Sequence, residues 1–254
     1  YFQKSKVLLL SNSISNYTKE NLNFFNDYFK LKEVNYKLSE ENLALKNKLE
    51  KISRNIGLDS LKNANFSYKN AKVISNNLSS FKNRIIINKG SVDGIKSEMG
   101  VTNSNGIVGI IEYTSPKFSS IMSILNIEMK INAKVKRTEH FGTLEWDGFD
   151  TRHLMLNDIS ETANIKIGDS IVTGGMSLIF PEGINIGIVS GIINQTQTNT
   201  KDITKKNKRL KTINLDIREN YLNVEVKLHN DMSNLNNVYV IESFNKQEFQ
   251  KLKK

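Results

Sequence analysis

The chain has 254 residues, a length that accommodates a long helix together with one or two compact domains. It contains no cysteine, which excludes disulfide bonds and thiolate metal sites. The formal net charge of +10 would suit a polyanion or an anionic membrane surface. The positive charge, however, comes mainly from lysines spread along the chain, and dispersed charge is weak evidence for a phosphate-binding face.

The first ten residues contain two separate features. Tyr1–Gln3 resembles the remnant of an engineered protease site and is set aside from fold reasoning. The apolar run Val7–Leu10 is far too short to span a bilayer, because a membrane helix needs about 20 apolar residues.

Between Ile14 and Ile56 apolar residues recur at every seventh position, which is the pattern of a coiled-coil helix. Three a positions are asparagine, which fixes register and favours two strands. Glu41 at g would attract Lys46 at e across a parallel pair. A helix packed against its own domain is the alternative, although such helices usually carry a wider apolar stripe. The predicted dimerisation residues are Tyr17, Phe24, Tyr28, Leu31, Asn35, Leu38, Asn42, Leu45, Leu49 and Ile52.

From Lys72 onward apolar residues alternate with polar ones, which predicts half-buried antiparallel strands. In the segment 130–136 the lysines are predicted outward and Ile131, Ala133 and Val135 inward. About a dozen such runs, separated by turn residues, indicate two β-domains rather than one small barrel. The predicted strands lie near 72–75, 84–88, 99–103, 106–113, 119–125, 130–137, 141–147, 153–157, 170–174, 186–194, 210–217 and 222–228, with a possible edge strand at 237–242.

Glycine-containing motifs follow one another in a distinctive order along this β region. They are Asn88-Lys89-Gly90-Ser91, Asp93-Gly94-Ile95, Gly106-Ile107-Val108-Gly109, Gly168-Asp169, Val172-Thr173-Gly174-Gly175, Phe180-Pro181-Glu182-Gly183-Ile184 and Gly187-Ile188-Val189. Together with the coiled coil, this order resembles the rod shape-determining MreC family from Lys4 to about Ser243. The charged segment 199–211 departs from the family pattern and looks like an insertion.

The resemblance implies a mainly β fold, in which an N-terminal coiled-coil helix precedes two small six-stranded antiparallel β-barrels, one interrupted in sequence by the other. Carried over, it assigns 4–63 to a juxtamembrane segment and the coiled coil, 64–113 with 186–243 to the first barrel, 114–185 to the second, and 244–254 to a polar tail. It also implies a single-pass helix in the bacterial inner membrane before Lys4, with residues 4–254 in the periplasm.

The same resemblance implies a non-catalytic scaffold of the cell-wall elongation machinery that maintains cell shape. Such a scaffold would form a parallel dimer or a higher assembly, and would bind and activate a class B penicillin-binding protein. It would also contact other membrane components of the rod-shape machinery, and it would need no cofactor and no nucleic acid. The alternative is a basic polyanion- or nucleic-acid-binding protein that uses the run Lys205–Lys211, although a solvated loop is the favoured explanation of this run.

Catalytic interpretations are weaker. Ser170, with His140 and His153 upstream, suggests a serine-protease triad, but Ile171 stands where a protease-type nucleophile is followed by glycine. The histidines lack the spacing of metal ligands. The acidic residues around Trp146 are explained by a charged hairpin tip. We therefore predict neither catalytic nor metal-binding residues.

One motif is predicted to have an architectural role. Phe180, Pro181 and Gly183 would form a structural turn that joins the second barrel back to the first, with proline fixing one φ angle and glycine adopting a positive φ. Contact with a partner is the alternative role for this turn.

The predicted partner-binding residues are Tyr221, Leu222, Tyr239 and Ile241. If Val238 and Val240 face the barrel core, alternation leaves Tyr239 and Ile241 outside, where an apolar pair suits a docking surface. Packing of this pair against the helix of the same chain is the alternative.

Overall fold

A computed structural model describes residue 31 and residues 33–52, 66–193 and 221–244 of the chain. The chain divides into two compact units between Leu45 and Lys46. Helix α1, described over residues 33–52, lies mostly in the first unit and has its last turns in the second, which holds all the described strands. Within the described ranges, no helix combines the length and the apolar character needed to cross a bilayer.

The strands follow α1 and are short, as their turn-rich sequence predicts. They are β1 (Phe66–Asn76), β2 (Lys82–Ile87), β3 (Gly100–Thr102), β4 (Ile107–Thr114), β5 (Ser119–Asn126), β6 (Ile131–Val135), β7 (Phe141–Glu145), β8 (His153–Ser160), β9 (Ser170–Thr173), β10 (Asn185–Ile193), β11 (Tyr221–Leu228) and β12 (Asn237–Ser243). Single 3₁₀ turns lie at Ser91–Asp93 and Glu161–Ala163.

These strands form two closed six-stranded barrels whose strand pairs are all antiparallel. The strand order is β1–β12–β3–β4–β5–β2 in the first barrel and β10–β11–β8–β7–β6–β9 in the second. All strands of the second barrel lie in sequence between β5 and β12 of the first. The predicted mainly β fold with an N-terminal helix and two barrels is therefore confirmed.

The barrel boundaries differ from those expected, which were 64–113 with 186–243 and 114–185. Strand β5 belongs to the first barrel, where Ile121 pairs with Ile111 of β4 and with Ile85 of β2. Strands β10 and β11 belong to the second barrel, where they pair with β9 and β8. Alternation could not reveal this, because it determines which face of a strand is buried and not which strand lies beside it.

Strand β12 is an internal strand of the first barrel rather than the edge strand predicted at 237–242. Tyr239 is opposite Asn70 of β1 on one side and Thr102 of β3 on the other. Closure of the barrel accounts for this, since a closed sheet pairs every strand on both sides. The strand predicted at 210–217 lies outside the described residues.

Aliphatic side chains fill the interior of both barrels and form one continuous apolar cluster. Ile85 in the first barrel and Leu156 in the second are fully buried. In β6 the inward residues Ile131, Ala133 and Val135 are buried, as the alternation predicts. Burial of such side chains is the main force that holds the two barrels closed.

Hydrogen bonds at the junction of the barrels hold the connections of both in place. The buried side chain of Asn230, which follows β11, accepts a hydrogen bond of 2.7 Å from the Asn103 amide after β3. Its own amide donates to the Ile107 carbonyl of β4 at 3.2 Å. The His229 N–H donates to the Ile186 carbonyl at 3.0 Å. Because these polar groups are removed from water, losing either partner would leave an unsatisfied buried group.

Candidate protein-interaction surfaces

The apolar residues of the predicted dimer seam are exposed wherever the structure describes them. Their exposed fractions range from 43% at Ile52 to 64% at Leu49. Asn42 is also exposed, and its amide donates to the Leu38 carbonyl at 2.9 Å. The described members are Leu31, Asn35, Leu38, Asn42, Leu45, Leu49 and Ile52, whereas Tyr17, Phe24 and Tyr28 lie outside the described residues. The seam is thus available to a second helix, and dimerisation stays a prediction.

The last turns of α1 contact the outer surface of the first barrel through polar residues. The Lys46 ammonium lies 5.4 Å from the ring centroid of Tyr68 and 5.6 Å from that of Tyr239. The Asn47 side chain accepts a hydrogen bond from the Tyr68 N–H at 3.0 Å and donates to the Tyr68 carbonyl at 3.3 Å. Lys46, predicted to face Glu41 of a partner helix, is therefore engaged by aromatic rings of its own chain.

Burial at this contact shifts the proton affinities of two of its members. Burial lowers the pKa of Lys46, an effect that the nearby Glu50 carboxylate partly offsets. Burial also raises the pKa of the Tyr68 hydroxyl, and the charge of Glu50 and its hydrogen bond with the hydroxyl raise this pKa further. Both side chains are half-buried at this contact.

The prediction that Tyr239 and Ile241 form an exposed docking pair is wrong. Tyr239 is 4% exposed and Ile241 is 1% exposed, although Val238 and Val240 face the core as expected. The outer face of β12 is covered, and for Tyr239 the cover includes Lys46 of α1, which was the alternative interpretation. The two remaining predicted partner-binding residues lie at the start of β11, where Leu222 is buried and Tyr221 is exposed.

The turn that contains Phe180, Pro181 and Gly183 connects β9 to β10 within the second barrel. It does not join the second barrel back to the first along the chain, as was expected, because both strands belong to the same barrel. Gly183 has a φ of +86°, as predicted for this position. Its N–H donates to the Thr173 carbonyl at 3.0 Å, and the Thr173 hydroxyl donates to the Pro181 carbonyl at 2.6 Å.

Phe180 nevertheless links the two barrels through its side chain. It is buried, and a Cβ atom placed on Gly100 of β3 would lie 2.8 Å from its ring. A glycine at position 100 thus leaves the space that the Phe180 ring occupies on the first barrel. The architectural role of the motif stays a prediction, and the sequence did not reveal that Gly100 is the residue against which Phe180 packs.

Lys134 of β6 is the exception to the predicted pattern of outward, solvated lysines. Its side chain is buried and its ammonium forms ion pairs with Glu139 and with Glu182 of the β9–β10 turn. The ammonium also lies 5.8 Å from the Phe141 ring centroid. Burial alone would lower the pKa of Lys134, but the hydrogen bonds to the two carboxylates outweigh it and raise that pKa. The pair with Glu182 fixes the turn to the wall of its own barrel.

The residues considered for catalysis take part in separate structural contacts. His153 Nδ1 lies 2.9 Å from a carboxylate oxygen of Asp150, and His140 Nδ1 lies 2.8 Å from a backbone carbonyl. Ser170 begins β9 and pairs with Ile188 of β10. Across the described ranges no three His, Asp or Glu side chains are grouped to hold a metal ion. Neither histidine contact described here includes Ser170.

Sequence reasoning missed three exposed apolar residues in connections between strands, and two of them, Phe81 and Ile127, approach the backbone of Gly148. The three are Phe81 between β1 and β2, Ile127 between β5 and β6, and Phe149 between β7 and β8. A Cβ on Gly148 would lie 2.9 Å from the Phe81 ring and 3.5 Å from Ile127 Cγ2. Phe81 and Phe149 are aromatic residues within polar turns, and this signal in the sequence is not detected by a search for alternating apolar and polar residues.

The fold defines the class of protein: two fused, closed six-stranded antiparallel barrels preceded by a helix. A fold does not by itself assign a function. The sequence family described as "Rod shape-determining protein MreC, barrel core" matches residues 73–242. The chain therefore belongs to the MreC family of rod shape-determining proteins, and the resemblance noted from its motifs is confirmed. The prediction that it is not an enzyme agrees with membership of this family.

Individual relatives carry the same name. The cell shape-determining protein MreC of Listeria monocytogenes is 33% identical over 126 residues, which are 48% of this chain and 43% of the relative. That of Bacillus subtilis is 29% identical over 142 residues, or 52% of this chain and 49% of the relative. The chain spans less than half the length of these relatives.

Solved structures show the same fold. A Listeria monocytogenes MreC structure superposes with a TM-score of 0.60 at 25% identity, covering 83% of this chain and 91% of that one. MreC from Helicobacter pylori, solved in a complex with the penicillin-binding protein PBP2, gives a TM-score of 0.51 at 16% identity, covering 71% and 99%.

Proposed function

We propose that this protein is a scaffold of the bacterial cell-wall elongation machinery, which binds and activates a class B penicillin-binding protein. The observation that carries the proposal is the match of residues 73–242 to the MreC barrel core, together with two barrels folded as in MreC structures. The Helicobacter pylori relative was solved bound to PBP2, which supports a transpeptidase as the partner. Activation requires tighter binding to the active conformation of the enzyme, because equal affinity for both conformations shifts nothing.

Parallel dimerisation through α1 is the second part of the proposal. The exposed stripe that includes Leu38, Leu45 and Leu49 supports it, because apolar side chains in heptad register are stabilised when a second helix covers them. The barrel uses Lys46 and Asn47 on another part of the helix surface, so the contact with the barrel and the seam do not compete for the same side chains.

Anchoring in the inner membrane completes the proposal. A single-pass helix before Lys4 would hold the barrels in the periplasm, where the transpeptidase acts. Anchoring would also raise the local concentration of the helices and favour their pairing.

The proposal is tested by binding between the purified chain and the extracytoplasmic part of the elongation-specific class B enzyme from the same bacterium. We expect saturable binding and faster peptide cross-linking by the transpeptidase when the chain is present. The division-specific class B enzyme serves as the matched control and should bind more weakly. Equal binding to both enzymes, or no binding to either, would contradict the proposed partner.

A further inference from the structure

The connection between β3 and β4 contains a chemically reactive pair of residues. Asn105 is followed directly by Gly106, and no other asparagine of the sequence is followed by glycine. The backbone nitrogen that follows an asparagine can attack Cγ of the asparagine side chain, and glycine hinders this approach least because it has no Cβ. Asn105 is exposed, so water reaches its amide and can complete the reaction.

Asn103 restrains the attacking nitrogen in the folded chain. Its Oδ1 accepts hydrogen bonds from the Gly106 N–H at 3.0 Å and from the Asn105 N–H at 2.9 Å. The Asn103 N–H donates to the Gly106 carbonyl at 2.9 Å. The Gly106 nitrogen must give up its proton and rotate toward the Asn105 side chain before it can attack, and these hydrogen bonds oppose both steps.

The second barrel holds the same connection in place. Gly106 is buried, and a Cβ placed on it would lie 2.4 Å from the carbonyl oxygen of Asn185 in β10. The Asn103 amide donates to Asn230 Oδ1 at 2.7 Å. Gly106 can therefore rotate only when the connection separates from the second barrel. Such a local opening sets the rate of the reaction, because only the open fraction of the molecules reacts.

We propose that Asn105 is a site of spontaneous deamidation that becomes reactive only when the β3–β4 connection leaves the second barrel. The Gly106 nitrogen forms a bond to Asn105 Cγ, and the bond between Cγ and Nδ2 breaks. Nδ2 leaves as ammonia with the proton of the Gly106 nitrogen, and a succinimide ring remains. Water then opens the ring at either carbonyl, which gives aspartate or isoaspartate. The reaction consumes only water.

The isoaspartate product prevents the connection from docking again. In isoaspartate the main chain runs through the former side chain, so the backbone before Gly106 is one carbon longer. Gly106 lies so close to Asn185 that even a Cβ has no room there. A lengthened connection cannot keep Gly106 against Asn185 and Asn103 on Asn230 at the same time. Deamidation thus makes a transient opening of the barrel junction permanent.

The first test follows deamidation of the full chain at mildly alkaline pH, in native buffer and in urea that unfolds the chain. Peptide mass spectrometry measures the conversion of Asn105 by its increase in mass. We expect a rate at least about tenfold lower in native buffer, because the hydrogen bonds of the folded connection restrain Gly106. Asn77, which is exposed and followed by Leu78, is the internal control and should stay unmodified. Equal rates in the two solutions, or no reaction in either, would overturn the proposal.

Two variants identify what restrains the nitrogen. Asn103→Ala removes the acceptor of the Gly106 N–H, and Asn230→Ala removes only the link to the second barrel. We expect each to speed deamidation by about tenfold in native buffer and to leave the rate in urea unchanged. The matched control is Ile85→Val, which weakens the buried core of the first barrel and should react like the wild type.

Three outcomes of this comparison contradict the proposal. Acceleration by Asn103→Ala alone would show that hydrogen bonds within the turn, and not the second barrel, restrain Gly106. Equal acceleration by Ile85→Val would show that the site reacts through global unfolding. No acceleration by any variant would show that these contacts do not limit the reaction.

The product is tested by hydrogen exchange of the deamidated and refolded chain. Its isoaspartate and aspartate peptides separate by chromatography, so exchange of the amides in 103–107 is measured for each product. We expect faster exchange in the isoaspartate form, because its connection stays undocked. Asn105→Asp has the same charge with an unaltered backbone, and it should exchange like the wild type. Equal exchange in the two products would overturn the claim that isoaspartate prevents docking.

Discussion

At the scale of single residues, the fit of Phe180 on Gly100 determines how the β9–β10 turn meets the first barrel. A Cβ on residue 100 would lie 2.6 Å from the Ile179 carbonyl oxygen and 2.8 Å from the Phe180 ring. Neither distance is tolerated without movement of the turn. The absence of a side chain at Gly100 is therefore as important to the contact as the Phe180 ring that occupies the space.

We expect Gly100→Ala to lower the free energy of unfolding by about 1–3 kcal/mol, the usual effect of overpacking. Urea unfolding measures this value. The matched control is Gly191→Ala, since a Cβ there would meet its nearest neighbours at 3.4–3.5 Å, which is ordinary contact. A Gly100→Ala protein as stable as the wild type would show that the turn adjusts freely and that Phe180 does not brace the barrels.

Asp169 makes the stability of the second barrel depend on pH. The Arg137 guanidinium hydrogen-bonds both carboxylate oxygens, at 2.8 and 2.7 Å, and this holds the pKa of Asp169 below its ordinary value. Because the folded-state pKa is lower than the unfolded-state value of about 4, the contribution is complete above about pH 4 and is lost as the pH falls through the folded-state pKa.

We therefore expect the wild type to lose more stability than Asp169→Asn between about pH 6 and about pH 3. The free energy of unfolding of both proteins, measured by urea at several pH values, checks this. The amide cannot ionise, so the difference between the two curves isolates this one carboxylate. Parallel curves would contradict the assigned pKa shift.

Residue roles could be predicted only where a local pattern encodes them. The positive φ of Gly183 follows from a turn motif, and the inward direction of Ile131 follows from alternation. The burial of Lys134 does not follow from any local pattern, because Glu182, one of its partners, is distant in sequence. Tyr239 was placed outside the barrel correctly, but alternation could not decide whether a partner or the helix of the same chain covers it, and the cover includes Lys46 of that helix.

At the scale of elements, α1 presents two different surfaces. Its heptad positions are exposed, while Lys46 and Asn47 contact the first barrel. The heptad spacing could be read from the sequence, and so could the existence of the strands. The pairing partners of β5, β10 and β11 could not, because periodicity carries no information on neighbours.

We expect the wild-type chain to sediment as a dimer and a Leu38→Asp, Leu45→Asp variant to sediment as a monomer with intact barrels. Two buried carboxylates in each helix of the seam would repel one another and lose the apolar contact. Circular dichroism checks the barrels, and Tyr36→Asp, an exposed position outside the seam, is the control. A wild-type chain that stays monomeric at high concentration would contradict the seam.

At the scale of the whole molecule, the second barrel is continuous in sequence and the first is not. A fragment of residues 129–230 contains all six strands of the second barrel. We expect it to fold alone, with β-type circular dichroism and dispersed amide resonances. A fragment of residues 114–185, the domain expected from the sequence, lacks β10 and β11 and should remain unfolded. A folded 114–185 fragment would contradict the strand assignment.

The first barrel can close only when β12 pairs with its neighbours. β12 fills the gap between β1 and β3, and its pairing brings Ser243 opposite Phe66. In sequence, every strand of the second barrel precedes β12, so β12 is the last described strand to become available for pairing. Until then the first barrel has two open strand edges, which are templates for pairing with other chains. Pairing across so long a stretch of sequence is also slow. We therefore expect the incomplete first barrel to be the part of the molecule most exposed to aggregation until β12 pairs.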